Sequence, residues 1–159
     1  MKALTAEEMR EVDKQTTARF GISGTQLMEA AGRAVSDAIL RELDGGFLPT
    51  SRKSVRVSIL CGKGNNGGDG LVAALHLKVA GVEAEVYLFG VPEKMVGDAG
   101  ENFQRWRSSG GAVRLVDSER SWEKIFPAIA GTQVIVDALL GTGLRGAVTG
   151  VVARAIADV

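Results

Sequence analysis

The sequence predicts an α/β fold in which helices cover both faces of a parallel β-sheet. Three observations carry that prediction. From residue 55 onward, short β-branched apolar runs alternate with segments of helical period. The glycine-rich run Cys61-Gly62-Lys63-Gly64-Asn65-Asn66-Gly67-Gly68-Asp69-Gly70 stands where the first apolar run gives way to a helical one. A second glycine-rich stretch follows the last apolar run, at Asp137. Strands alternating with helices specify βαβ units, hence parallel strands buried on both faces.

The elements follow in order. Thr5 and Glu8 have capping-box spacing, with Leu4 and Met9 placed as a hydrophobic staple. The helix they start carries Met9 and Val12 on one side. Ser23 and Gln26 repeat the capping pattern, and the next helix puts Leu27, Ala31, Ala34, Val35 and Ala38 at helical spacing. Asp44-Gly45-Gly46 through Pro49 is a break, and residues 51–54 are a polar lead-in. Residues 55–61 then read as a buried strand and 68–79 as a helix. A second strand is expected over 84–89, and a helix over 98–107 with Phe103 and Trp106 inward. Residues 113–116 and 134–137 read as further strands, separated by a helix near 122–129. The last helix covers 150–157. No internal repeat or low-complexity segment interrupts the pattern.

Bulk properties narrow the function classes. With 159 residues the chain fits one domain, 1–159, with a real core. Its 19 basic and 19 acidic residues cancel, so no basic face marks a nucleic-acid partner. The single cysteine, Cys61, excludes an internal disulfide framework and a cysteine zinc site. The acidic, polar start of the chain is unlike a signal peptide, and no apolar run is long enough to span a bilayer. A soluble, cytoplasmic protein with no membrane partner is expected.

In a parallel sheet, ligands bind at the carboxyl ends of strands, where the strand order reverses. Two polar glycine-rich loops leave such ends here, after Cys61 and after Asp137. In the first, the glycines give the backbone access to positive φ and let it approach a ligand closely. Asn65, Asn66 and Asp69 add clustered polar side chains, which a plain turn does not need. Together these point to a phosphate-bearing molecule. Gly62, Gly64 and Gly67 match the dinucleotide fingerprint, but the next strand ends Tyr87-Leu88-Phe89-Gly90 without the acid that would hold a ribose. An ordinary NAD-dependent oxidoreductase is therefore disfavoured. A Walker A loop fails because Gly68-Asp69 stands where Lys-Ser/Thr would be.

The second loop begins at Asp137, at the end of an apolar strand, where a carboxylate is costly unless it is paired, coordinated or employed. Either it caps its own turn, or it is a metal ligand or acid/base facing the first loop. Gly141-Thr142-Gly143 offers amides and a hydroxyl to a second phosphate or a ribose. Other candidates read as structural. His76 is a helical packing or surface residue, Trp106 between Arg105 and Arg107 is a packing tryptophan, and Cys61 is buried and inert. Lys63 is open between a pyrophosphate contact and plain exposure.

At these two loops the sequence resembles the N-terminal domain of the YjeF family, the NAD(P)H-hydrate epimerases. The residues that carry the resemblance are Gly64-Asn65-Asn66-Gly67-Gly68-Asp69-Gly70 followed by Leu71-Val72-Ala73-Ala74, and Val136-Asp137-Ala138-Leu139-Leu140-Gly141-Thr142-Gly143-Leu144. Leu27-Met28-Glu29-Ala30-Ala31-Gly32-Arg33-Ala34, with Met9-Arg10 and Asp13, is similar to the family's amino-terminal helices. The resemblance implies a Rossmann-like three-layer αβα sandwich with a mostly parallel central sheet, preceded by two N-terminal helices. It implies interconversion of the R and S forms of NADHX and NADPHX, hydrated and damaged nicotinamide cofactors, in metabolite repair. It places substrate contacts at Asn65, Asn66, Gly67, Gly68 and Asp69, and at Gly141, Thr142, Gly143, Leu144, Arg145, Gly146 and Ala147. It makes Asn66 and Asp137 ligands of a potassium ion (K+), whose preference for hard oxygen donors suits an amide and a carboxylate.

The family continues past the point matching Val159 with another strand and a Val-Asp-Ile-Pro-Ser-Gly-type motif, so this chain is expected to be part of a longer domain. Fusion to an ATP- or ADP-dependent NAD(P)H-hydrate dehydratase is a common arrangement in the family, and the two N-terminal helices are candidates for a homodimer contact. In the expected reaction the ring nitrogen expels the neighbouring hydroxyl as water, and water re-adds to a planar iminium from either face. One carboxylate can serve as acid and base in turn. Asp137 is the candidate catalytic residue in this chain, alongside the aspartate beyond it. The rival class is a non-catalytic scaffold of the same fold, of the kind found in an apolipoprotein A-I-binding protein and in messenger-RNA decapping. The intact Asn66 and Asp137 argue against it.

Overall fold

Two capping boxes start the first two helices, as their spacing predicts. In this computed structural model, which describes residues 4–46, 54–144 and 146–159, α1 (Ala6–Phe20) and α2 (Gly24–Asp44) are each capped reciprocally. Thr5 pairs with Glu8 and Ser23 with Gln26, satisfying amide groups that have no partner within the helix. The predicted lead-in over 51–54 and part of the break before it lie outside the described residues, Ser54 excepted.

The alternation that follows gives β1 (Arg56–Cys61), α3 (Asn65–Val79), β2 (Glu83–Leu88), α4 (Gly97–Ser108), β3 (Val113–Leu115), α5 (Glu119–Ala130), β4 (Val134–Ala138) and α6 (Gly150–Asp158). All pairings are parallel and the strand order is β3-β2-β1-β4. The chain therefore steps outward from β1 through β2 to β3, then crosses back to place β4 on the other side of β1. Helices cover both faces, giving three layers.

The sheet's two faces build two cores, because side chains alternate along each strand. Val57, Ile59 and Cys61 of β1, with Val86 and Leu88 of β2, pack against Leu71, Val72, Leu77, Phe103 and Trp106 of α3 and α4. Leu60 and Tyr87 point to the opposite face, against Trp122 and Ile129 of α5 and Ala155 of α6. The inward placement of Phe103 and Trp106 is as predicted.

One face assignment changes. On α2, the residues Ala31, Ala34, Val35 and Ala38 stay exposed and Leu27 is half-buried, whereas Met28, Gly32, Ser36 and Leu43 are buried. Gly32 explains the choice. A Cβ there would lie 2.5 Å from the Asp69 carbonyl oxygen and from the Val72 Cβ, so the bare backbone lets α2 settle directly onto α3. Close approach selects the small-residue face over the more apolar one.

Candidate active site

The two glycine-rich loops leave the sheet side by side. Cys61 at the end of β1 is in register with Ala138 at the end of β4, and the Gly62 N–H donates to the Ala138 carbonyl at 2.9 Å. Because the strand order reverses between β1 and β4, the loops flank the topological switch point, where open α/β sheets hold ligands.

The first motif is mostly helix, and its glycines act differently from expectation. Helix α3 begins at Asn65, three residues before the predicted start, so Asn65, Asn66, Gly67, Gly68 and Asp69 form its first turns. None of Gly62, Gly64, Gly67, Gly68 and Gly70 takes a positive φ. What they supply is the absence of a side chain. A Cβ on Gly67 would lie 1.8 Å from the Gly62 carbonyl oxygen, and one on Gly70 would lie 2.7 Å from the Ala138 Cβ. The start of α3 is thus pressed against the ends of β1 and β4. Gly64, its N-cap, contributes no side-chain bond, so the first amides of α3 remain available to an anion.

Asn66 links the two loops. Its Nδ2 donates to the Leu140 carbonyl at 3.0 Å, and its Oδ1 has no hydrogen-bond partner among the described residues. Asp69, half-buried one turn further along α3, has its carboxyl pushed up to about 6, first by burial and then by the charge of Asp13. It therefore holds a proton near neutral pH more readily than an ordinary aspartate. Asn65 is exposed, whereas Gly67 and Gly68 are buried and offer backbone only.

Asp137 is exposed, because β4 pairs on one side only among the described residues. The desolvation cost expected from its place in an apolar strand is absent. Its Oδ1 accepts from the Leu139 N–H at 2.9 Å, so the turn-capping alternative is realised with one oxygen. Its Oδ2 has no hydrogen-bond partner among the described residues. It and the Asn66 Oδ1 are each a hard oxygen donor, the donor type a potassium ion takes.

The second loop contains a β-turn, in which the Leu144 N–H donates to the Gly141 carbonyl at 3.2 Å. Thr142 and Gly143 form its exposed tip. Gly141 lies against Asn66: an added Cβ would come within 3.1 Å of the Asn66 Cβ. Gly146 and Ala147 are exposed beyond the turn, and Arg145 lies outside the described residues.

Helix α1 supplies residues to which the sequence assigned no role. The Arg10 guanidinium donates to the Thr142 carbonyl, and Asp13, one turn along, faces Asp69 electrostatically. Leu4, Thr5, Ala6 and Met9 join Gly141 and Thr142 around an open groove of about 500 Å³. The available signal was the spacing: Arg10 and Asp13 sit three apart on a capped helix and so share a face.

The remaining candidates are structural. The His76 Nε2 lies 2.7 Å from the Glu29 carboxylate, which Arg105 also holds at 3.1 Å, so the cluster ties α2 to α3 and α4. Those partners hold the Glu29 carboxyl below its usual range, the His76 hydrogen bond most of all. Trp106 is buried and donates to the Ala112 carbonyl at 3.0 Å. Cys61 is fully buried, which pushes its thiol up, far from reactive thiolate character. Lys63 is exposed. Strand β2 ends at Leu88 without a ribose-binding acid.

Comparison with known proteins shows the family of the chain. A family profile described as YjeF-related protein N-terminus matches residues 24–159. The bifunctional NAD(P)H-hydrate repair enzyme Nnr of Moorella thermoacetica is 38% identical over 156 residues, covering 98% of this chain and 28% of that enzyme. The NAD(P)H-hydrate epimerase of Rhodobacter capsulatus is 37% identical over 147 residues, covering 92% of this chain and 65% of the relative. The chain thus spans less than two thirds of the length of these relatives. Among solved structures, yeast ynu0, YNL200c, matches with a TM-score of 0.82 at 26% identity, over 99% of this chain and 64% of that one. By the profile, the relatives and the fold together, the chain belongs to the YjeF-related N-terminal family.

Proposed function

We propose that this chain carries the epimerase site of an NAD(P)H-hydrate repair enzyme, interconverting the R and S forms of NADHX and NADPHX. The observation that carries the reading is the meeting of Asn66 with the Leu140–Gly141 backbone at the switch point. That contact joins the start of α3, which carries Asp69, to the glycine turn that follows Asp137. The names of the relatives from Moorella thermoacetica and Rhodobacter capsulatus support the substrate class.

The chemistry needs a proton delivered to the departing hydroxyl and a base to receive one from the returning water. As the ring nitrogen's electron pair forms the iminium, the C–O bond breaks and water leaves with the delivered proton. Water then adds to either face and returns a proton to the carboxylate, so nothing is consumed. Asp137 has a carboxylate oxygen uncommitted to the fold, and Asp69, raised to about 6, takes up a proton more readily than an ordinary aspartate. The amides at the start of α3 and the turn at 141–144 bind the anionic and ribose parts. Asn66 and Asp137 are the residues that would hold a potassium ion, each with one side-chain oxygen not used in the fold. When bound, it supplies a fixed positive charge that orders the oxygen atoms around it.

We further propose a homodimer through α1 and α2, supported by the exposed Met9, Val12, Phe20 and Val35 on those helices and Ile22 between them. The bifunctional relatives support a dehydratase joined to this unit in the same polypeptide, with both acting in the cytoplasm. The deciding experiment feeds pure R- or S-NADPHX to the protein and follows both forms by chromatography, with and without potassium. Epimerisation at a rate dependent on the protein supports the reading. If both forms persist unchanged, the reading is wrong.

A further inference from the structure

We propose that Arg10 is a positioning residue that locks the Thr142–Gly143 peptide plane, so that the Gly143 amide is preset to receive an anionic group of the ligand. The inference rests on the epimerase reading for its ligand, but its geometry stands on the fold alone.

Residues 141–144 form a β-turn closed by the bond from the Leu144 N–H to the Gly141 carbonyl. The central peptide of such a turn, between Thr142 and Gly143, can take either of two orientations. One is the type I arrangement. The other, type II, turns that peptide over and needs a positive φ at the third residue, which glycine accepts readily. Gly143 is that third residue, and its φ is not positive. Nothing in the turn's own sequence enforces this, since Gly143 on one side of the peptide accepts either sign of φ and an added Cβ there would meet no atom within 4 Å.

The selecting contact comes from outside the loop. The Arg10 guanidinium donates to the Thr142 carbonyl. A trans peptide is planar, with its C=O and N–H directed oppositely. Holding the Thr142 oxygen toward α1 therefore directs the Gly143 N–H away from α1. Turning the peptide over would break the Arg10 bond and withdraw that N–H. Helix α1 buries no residue of its own, so Arg10 is among the few groups fixing the helix to the site. The contact also sets a cation at the loop. The Gly143 amide, preset on the face of the loop turned away from α1, suits one oxygen of a phosphate or diphosphate.

The test uses ADP-ribose, which carries a diphosphate and no nicotinamide ring, in calorimetric titrations of the intact protein. Arg10→Ala should weaken ADP-ribose roughly 10-fold, and the KM for NADPHX should rise by a similar factor with kcat within about 3-fold, because the contact is equal in ground and transition states. Arg10→Lys keeps the charge but not the planar fork, and should recover only part of the loss. The decisive variant is R10A combined with Gly143→Ala. An alanine at that position resists positive φ and so restores the same peptide orientation without Arg10. It should recover at least about 3-fold of the lost affinity. Wild-type affinity in Arg10→Ala, no binding of ADP-ribose by the wild type, or a double variant no better than R10A would each overturn the proposal. The epimerase reading fails by a separate result, the absence of epimerisation by the wild-type protein.

Discussion

The Asn66 Nδ2 donates to the Leu140 carbonyl at 3.0 Å, joining residues 74 positions apart and leaving the Asn66 Oδ1 free of hydrogen bonds among the described residues. One side chain therefore does two jobs. Its nitrogen fixes the second loop against α3, and its oxygen is left for the proposed potassium ion. Asn66→Ala removes both. Losing one ordinary hydrogen bond should lower stability by about 1 kcal/mol. The epimerisation rate should then need a higher potassium concentration to reach half its maximum. The check is a potassium titration of the rate beside a denaturant melt. An unchanged potassium response would remove Asn66 from the ion site.

Asp137 separates structural from chemical use of a carboxylate. One oxygen caps the Leu139 N–H at 2.9 Å, and asparagine can make the same bond. Asp137→Asn should therefore change stability by no more than about 1 kcal/mol. Turnover should fall by ~10²-fold or more, the usual loss when an acid/base group is removed. Retained turnover in the folded variant would move the proton transfer to another carboxyl, with Asp69 the nearest choice.

The Asp69 carboxyl gives a pH signature with a definite sign. Burial and Asp13 raise it to about 6 in the folded protein, against an ordinary value of 3.8. Between those values the folded state binds more protons than the unfolded one, so stability falls as pH rises through that window. Above about 6 the full cost of the ionised group is present, and below about 4 it is gone. Asp69→Asn should therefore raise the melting temperature at pH 7.5 and leave it nearly unchanged at pH 4. Because the group is partly solvated, the gain should be about 1 kcal/mol rather than the full linkage value. Equal effects at both pH values would contradict the assignment.

Two adjacent glycines should respond differently to the same change. On Gly67 a new Cβ would lie 1.8 Å from the Gly62 backbone oxygen, which cannot move without separating α3 from β1. On Gly68 the nearest atoms, at 2.6 Å, are the Cε and Sδ of the flexible Met28 side chain. Gly67→Ala should cost roughly 3 kcal/mol or more, and Gly68→Ala about 1 kcal/mol, since overpacking costs less where a side chain can yield. Chemical denaturation of the two variants measures the difference. A ranking in the opposite order would show that the start of α3 can slide on the sheet.

Much of the fold was legible from the chain because local rules set it. The spacing of Thr5 with Glu8 and of Ser23 with Gln26 specifies two helix starts through bonds spanning three residues. The alternation after residue 55 specifies a parallel sheet, and the loops after Cys61 and Asp137 mark where its ligand end lies. Tertiary structure decided what depends on distances between segments far apart in sequence. The first motif looked like a flexible loop because glycine density signals conformational freedom. It is the tightly packed start of a helix, because its glycines remove side chains where α3 meets β1 and β4. The buried face of α2 was misjudged for the same reason: Gly32 gains more by letting two backbones approach than the alanine stripe would by burial. Asp137 looked costly in an apolar strand until the strand order set that strand at an edge. The spacing of Arg10 and Asp13 sets them on one face, but nothing local to α1 records that this face lies beside Thr142 and Asp69. Sequence fixes what each segment prefers to be, and only packing decides which segments meet.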